Sequence, residues 1–213
     1  MQGKPQMQKI VFFLMLFNSS LLSQSAITIY SGVNYPSRSL SVEDESEYLN
    51  DHWMIGLNLG IGAEYCLTSW FSISPVVEYN HYQFNTYDKS KVVLTDDVKS
   101  SSGENSHITR FMIEAKFIDH AQDTADVYIS IGYGYVMEKI GSINVTSIEY
   151  GGSTYTQTLR YNEKNYWVNS VGLGYRYYLT SRSGLDFCIK YYSNYEDRFN
   201  VSMNLGFVYQ FEK

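Results

Sequence analysis

Hydrophobic and polar residues alternate with a period of two along most of the chain. The clearest stretch, Ile55 to Leu67, sets Ile55, Leu57, Leu59, Ile61, Ala63, Tyr65 and Leu67 against Gly56, Asn58, Gly60, Gly62, Glu64 and Cys66. That is the side-chain period of a strand, not of a helix. The same alternation recurs at Ala26–Tyr35, Phe71–Phe84, Thr109–Phe117, Val127–Glu138, Val168–Leu179 and Leu185–Tyr192. A closing segment puts Val201, Met203, Leu205, Phe207, Tyr209 and Phe211 on one face. Eight strands result, and the expected fold class is all-β.

Most of these strands run to about ten residues or more, the length a tilted strand needs to cross a bilayer, whereas soluble strands average about five or six. Their polar faces carry Glu64, Glu78, Arg110, Glu114, Lys116, Arg176, Asp186 and Lys190. A dry soluble core excludes such charges, but the lumen of a membrane barrel lets them meet and pair. The connections also differ in length. Thr68–Trp70, Ile118–Asp126 and Thr180–Gly184 are short, whereas 36–54, 85–108 and 139–167 are long, and only the last odd link, Ser193–Asn200, breaks the rule. Short turns on one side and long loops on the other predict an eight-stranded antiparallel up-and-down transmembrane β-barrel with both termini in the periplasm.

Composition adds a compartment. Lys4 and Lys9 precede the apolar run Ile10–Phe17, and small residues at Ser23 and Ser25 suit cleavage before Ala26. This predicts a signal peptide over 1–25, with the barrel over 26–213, and either Met1 or Met7 as the start. Eight apolar residues fall short of the ~20 that a spanning helix needs. The 21 tyrosines fit surfaces that are half apolar and half wet. Trp70, Phe71, Phe117, Tyr177, Phe187 and Phe211 are expected at the periplasmic interface, with Trp53, Tyr79, Tyr135, Trp167 and Phe199 at the outer one. A net charge of −6 without any basic block excludes nucleic acid as a partner.

The last strand, NLGFVYQF, resembles the C-terminal targeting signal of outer-membrane barrels, with Asn204, Gly206, Tyr209 and Phe211 at the matching positions. Glu212 and Lys213 follow where the family form ends on the final aromatic. The mature chain as a whole resembles the small outer-membrane β-barrel family of the OmpA/OmpX type in its single-domain form. The resemblance implies the outer membrane of a Gram-negative-type cell, outer-membrane lipid around the barrel and the barrel assembly machinery as a partner during biogenesis.

Candidate chemistry is sparse. An eight-stranded barrel is just wide enough for side chains to fill it, so the eight charges are expected to plug the lumen. The segment Tyr191–Asn200 resembles the motif of outer-membrane lipid A deacylases at Ser193 and Asn194, but Tyr191 stands where the family has its histidine base, so the chain is read as no enzyme. The histidines at 52, 81, 107 and 120 show no metal-ligand spacing, and no metal or cofactor is expected. Cys66 and Cys188 project from the polar face of strands that are not neighbours and are expected to be free thiols. The acidic stretch Ser41–Asp51 reads as a solvated loop, and Gly141–Tyr161 as a hairpin continuing the fifth and sixth strands, with an edge open to strand addition. The expected function is a structural or surface-interaction role, binding an extracellular protein through loops 36–54 and 139–167. The alternatives are a narrow porin and a secreted soluble ligand-binding barrel.

Overall fold

The computed structural model describes residues 25–35, 55–84, 98–122, 124–148, 152–160, 163–193 and 199–211. Eight strands form a closed antiparallel barrel: β1 (Ser25–Tyr35), β2 (Gly56–Cys66), β3 (Phe71–Tyr82), β5 (Ser106–Gln122), β6 (Ala125–Lys139), β9 (Lys164–Tyr178), β10 (Ser183–Ser193) and β11 (Phe199–Gln210). Each pairs with the next in this order, and β1 pairs with β11 from Ala26↔Gln210 to Tyr35↔Val201, so no edge remains on the barrel. The links 67–70 and 179–182 lie at one end together with Thr124, and there Phe211 N–H also donates to the Ser25 carbonyl at 2.9 Å.

The alternation in the sequence becomes an inside-out barrel. Leu57 and Ile113 are 63% and 64% exposed on the outer wall, while Glu64 and Arg110 are each 1% exposed within. Apolar area on that scale, wrapped round the whole circumference, is a surface made for lipid. Among the described residues no helix is long and apolar enough to cross a membrane. Trp70, Phe71 and Phe117 cluster near one rim, with ring centroids 5.3 to 6.4 Å apart. Trp167 stacks on Tyr133 at 5.1 Å and meets Tyr135 edge-on toward the other rim. Of the remaining outer-rim aromatics, Trp53 and the Phe199 side chain lie outside the described residues.

Two glycines show how the lumen is packed. Gly60 faces Tyr30 across the β1–β2 pair, and Gly174 faces Tyr128 across β6–β9. A Cβ built on either glycine would land inside its partner's ring. Tyrosine therefore lies flat over bare backbone, and only glycine leaves room for it.

Three expectations need correction. The link Ile118–Asp126 is mostly strand: β5 runs to Gln122 and β6 starts at Ala125, across a register shift between Asp119 and Gln122. The sequence there is polar and unalternating, but cross-strand pairing carries it. The third strand ends at Tyr82 and not at Phe84, although Phe84 is buried. Finally, the hairpin within 141–161 does not simply prolong its neighbours. β7 (Ile143–Ile148) and β8 (Thr154–Leu159) pair with each other, and β4 (Val98–Gly103), from the preceding long link, pairs with β7. The result is a separate three-stranded sheet in the order β4-β7-β8. Gly152, with φ of 85°, sits between β7 and β8, in the left-handed region where glycine carries no Cβ penalty.

Candidate functional site

The lumen holds the polar groups singled out from the sequence. Glu64 on β2 receives Lys116 Nζ from β5 and Arg176 Nη2 from β9, both at 2.9 Å from Oε2. Arg176 Nε also donates to Asp186 Oδ2 of β10 at 3.1 Å, and the Tyr128 hydroxyl of β6 donates to Asp186 Oδ1 at 2.6 Å. Two acids and two bases make this group neutral.

A second neutral quartet lies beside it. Lys190 Nζ on β10 donates to Glu114 Oε1 at 2.6 Å and to Glu78 Oε1 at 3.2 Å. Arg110 Nη1 is 3.8 Å from Glu78 Oε2, while its Nη2 donates to Asn200 Oδ1 at 3.0 Å. Glu78 further accepts the hydroxyls of Tyr30 at 2.6 Å and Tyr192 at 2.8 Å. Tyrosine rings also lie against the cations: Arg110 sits 4.3 Å from the Tyr192 centroid, Lys190 5.1 Å from Tyr30 and Lys116 5.1 Å from Tyr128. Taking these ions out of water is costly, and the pairing and hydrogen bonds offset that cost.

Between the quartets lies a cavity of about 20 Å³, lined by Thr28, Gly62, Glu114, Lys190 and other lumen residues. Thr28 Oγ1 and Glu114 Oε2 have no protein partner there. Such a space suits one water and no solute. Toward the end with the long links, two asparagine pairs within the lumen each reach over one intervening strand, Asn34 to Asn80 and Asn58 to Asn204, each at 2.8 Å. Tyr82, Phe84, Ile108, Val136 and Val168 then pack with Ile143 and Val145 of β7, so an apolar layer covers that mouth.

All eight predicted charges are therefore within the lumen and in these two groups. Sequence reading missed Tyr30, Tyr128 and Tyr192 as their hydrogen-bond donors; the available signal was that tyrosines at even-numbered strand positions share the parity of the charges. Asn204 and Gly206 face inward, while Tyr209 and Phe211 face out and meet edge-on with centroids 5.6 Å apart. Cys66 and Cys188 are free. Tyr191 faces outward, away from the lumen, and Asn194 lies outside the described residues, as do the acidic stretch 41–51, the loop 36–54 and residues 1–24. The histidines are not all scattered: the β3–β5 register brings His81 opposite His107.

No protein-family model matches the sequence, and no curated protein matches it. Solved structures do match the fold. Neisserial surface protein A (NspA) is 14% identical, covering 88% of this chain and 97% of its own, with a TM-score of 0.54. The outer membrane protein OprG from Pseudomonas aeruginosa is 10% identical over 90% of this chain and 97% of its own, with a TM-score of 0.52. A major outer membrane protein from Thermus thermophilus is 14% identical over 88% of this chain and 99% of its own, at 0.50. At such identities the likeness is one of fold: a closed eight-stranded antiparallel barrel of the kind found in small outer-membrane proteins.

Proposed function

We propose that this chain is a non-enzymatic outer-membrane barrel of a Gram-negative-type cell that presents a protein-binding edge outside the bilayer. Both termini are periplasmic, and Asn204, Gly206, Tyr209 and Phe211 are read by the barrel assembly machinery before the protein enters outer-membrane lipid. The lumen charges Glu64, Glu78, Arg110, Glu114, Lys116, Arg176, Asp186 and Lys190 serve as a permanent plug and not as a path for solutes.

The observation that carries this reading is the sheet β4-β7-β8. Among the described residues β8 pairs with β7 alone, and its run Thr154, Tyr155, Thr156, Gln157, Thr158 is exposed and uncharged. Membrane crossing requires no such sheet. An open, uncharged edge takes up an extended partner strand through main-chain hydrogen bonds, with Tyr155 adding apolar contact. The partner is an extended segment of a protein on another surface.

Cells displaying the protein test this. Tyr155→Lys with Gln157→Lys places charge along the edge, where it blocks strand pairing. The expected result is loss of adherence to host-cell or matrix surfaces while the folded gel band, which shifts on boiling, is retained. Equal adherence by the variant overturns the binding edge. In planar bilayers the protein is expected to show no discrete channels; reproducible ion-selective steps overturn the plug and favour a narrow porin.

A further inference from the structure

The register of β3 and β5 sets His81 directly opposite His107, although 26 residues separate them. Both stand on the outer wall toward the end with the long links, in line with Tyr79, two residues nearer the middle of β3 on the same face. The two Nδ1 atoms are 3.1 Å apart and the rings are tilted with centroids at 4.9 Å. The Tyr79 hydroxyl lies 2.6 Å from the same His107 Nδ1, its ring stacked on that imidazole.

As hydrogen bonds this cluster is oversubscribed. His107 Nδ1 has either one proton or one lone pair, yet two groups converge on it. A cation that accepts the lone pairs of both imidazoles removes the conflict. We propose that His81 and His107 chelate one divalent transition-metal ion of the Zn²⁺, Ni²⁺ or Cu²⁺ class, with the Tyr79 hydroxyl at a third position and water completing the set. A metal bound to each nitrogen at about 2.0–2.1 Å subtends about 100° across the observed 3.1 Å. That angle lies between the square-planar and tetrahedral values, and imidazole donors select these metals over Mg²⁺ or Ca²⁺. The cation next to the pair, Lys139, faces His107 across β5–β6 and is itself 3.6 Å from Glu163, which offsets its charge. The ion would tie β3 to β5 at the rim that carries the three-stranded sheet.

The test uses full-length protein without a polyhistidine tag, folded in detergent micelles free of chelator. Calorimetric titration with Zn²⁺ is expected to give one ion per chain, and Cu²⁺ a spin-resonance spectrum with coupling to two nitrogens. His81→Asn and His107→Asn each weaken binding at least about tenfold, since even outer-shell partners of a ligand act on that scale. His120→Asn leaves it unchanged. Both side chains sit on the outer wall, so the variants keep the heat-shifted band, and in the wild type alone Zn²⁺ raises the temperature at which that band unfolds. Binding that persists in the double His81→Asn/His107→Asn variant, or that is absent from the wild type, overturns the assignment.

Discussion

The lumen and the mouth of this barrel are both filled, but by opposite chemistry. Along the bilayer-spanning part the filling is ionic: two neutral quartets, each with two carboxylates and two cations, and with tyrosine hydroxyls donating to a carboxylate in each. At the mouth it is apolar, where Phe84 and two residues of β7 pack over Ile108, Val136 and Val168. The barrel wall explains the difference. Its outward face is committed to lipid, so the alternating inward face inherits the polar residues and has to close on them. Beyond the bilayer the chain is free to fold as soluble proteins do, with apolar groups turned inward. One molecule thus holds an inverted protein and an ordinary one end to end.

The largest expected effect comes from breaking the ionic half. Arg176→Met leaves Asp186 without its cation and takes one of two from Glu64, and is expected to cost about 3–5 kcal/mol, the scale of a buried pair that loses one partner. Urea unfolding in lipid vesicles measures it. Adding Asp186→Leu is expected to recover much of the loss, because the uncompensated charge goes with it; a double variant no more stable than the single one would mean that packing, not charge, sets the cost. Next in size is Gly60→Val, which drives its side chain into Tyr30 and is expected to cost about 1–3 kcal/mol by overpacking. Tyr30→Ala in the same chain relieves the clash, so the two substitutions should be strongly non-additive in the same unfolding assay.

The eight inward charges were legible because a strand's parity is legible: once Leu57, Leu59 and Ile61 face lipid, Glu64 has to face the lumen. Their pairing was not, since Glu64 and Arg176 lie on strands far apart in order and meet only when the barrel closes with its stagger. The same holds for His81 and His107, whose encounter depends on a register that spacing along the chain does not reveal. β4 escaped notice for another reason. Its sequence, VKSSSG, has neither alternation nor β-branched residues after Val98, and it is a strand because β7 offers an edge.

The apolar half yields to a smaller change. Ile143 is fully buried, and Ile143→Val deletes one methylene, for an expected cost of about 1 kcal/mol in the same urea experiment. The barrel below should stay closed to ions, because its plug is independent of the lid; channels appearing in this variant would mean that the two fillings act as one.

At the opposite rim a third version of the pairing meets water, and here the effect is least. His120 lies past the Trp70, Phe71 and Phe117 cluster, with its side chain 56% exposed, its Nδ1 2.6 Å from Asp126 Oδ1 and its Nε2 2.8 Å from the Ser69 carbonyl. A carboxylate and a carbonyl only accept, so both ring nitrogens donate and the ring is an imidazolium in this arrangement. The hydrogen bond to Asp126 is the main cause that raises the pKa of His120. A raised pKa in the folded state means that the tie between the 67–70 link and β6 is fully present below the unfolded value of about 6.5 and is lost as pH rises through the higher folded value. Ring resonances of His120 in micelles should titrate above those of an unstructured histidine, and Asp126→Asn should bring them down. The stability change across this window should be far smaller than that of Arg176→Met, because water screens an exposed pair and does not reach a buried one. A pH-dependent loss of stability as large as the lumen variant's would mean that Asp126, through the Tyr178 hydroxyl at 2.6 Å and the Gln210 amide beyond it, belongs to the ionic filling and not to the rim.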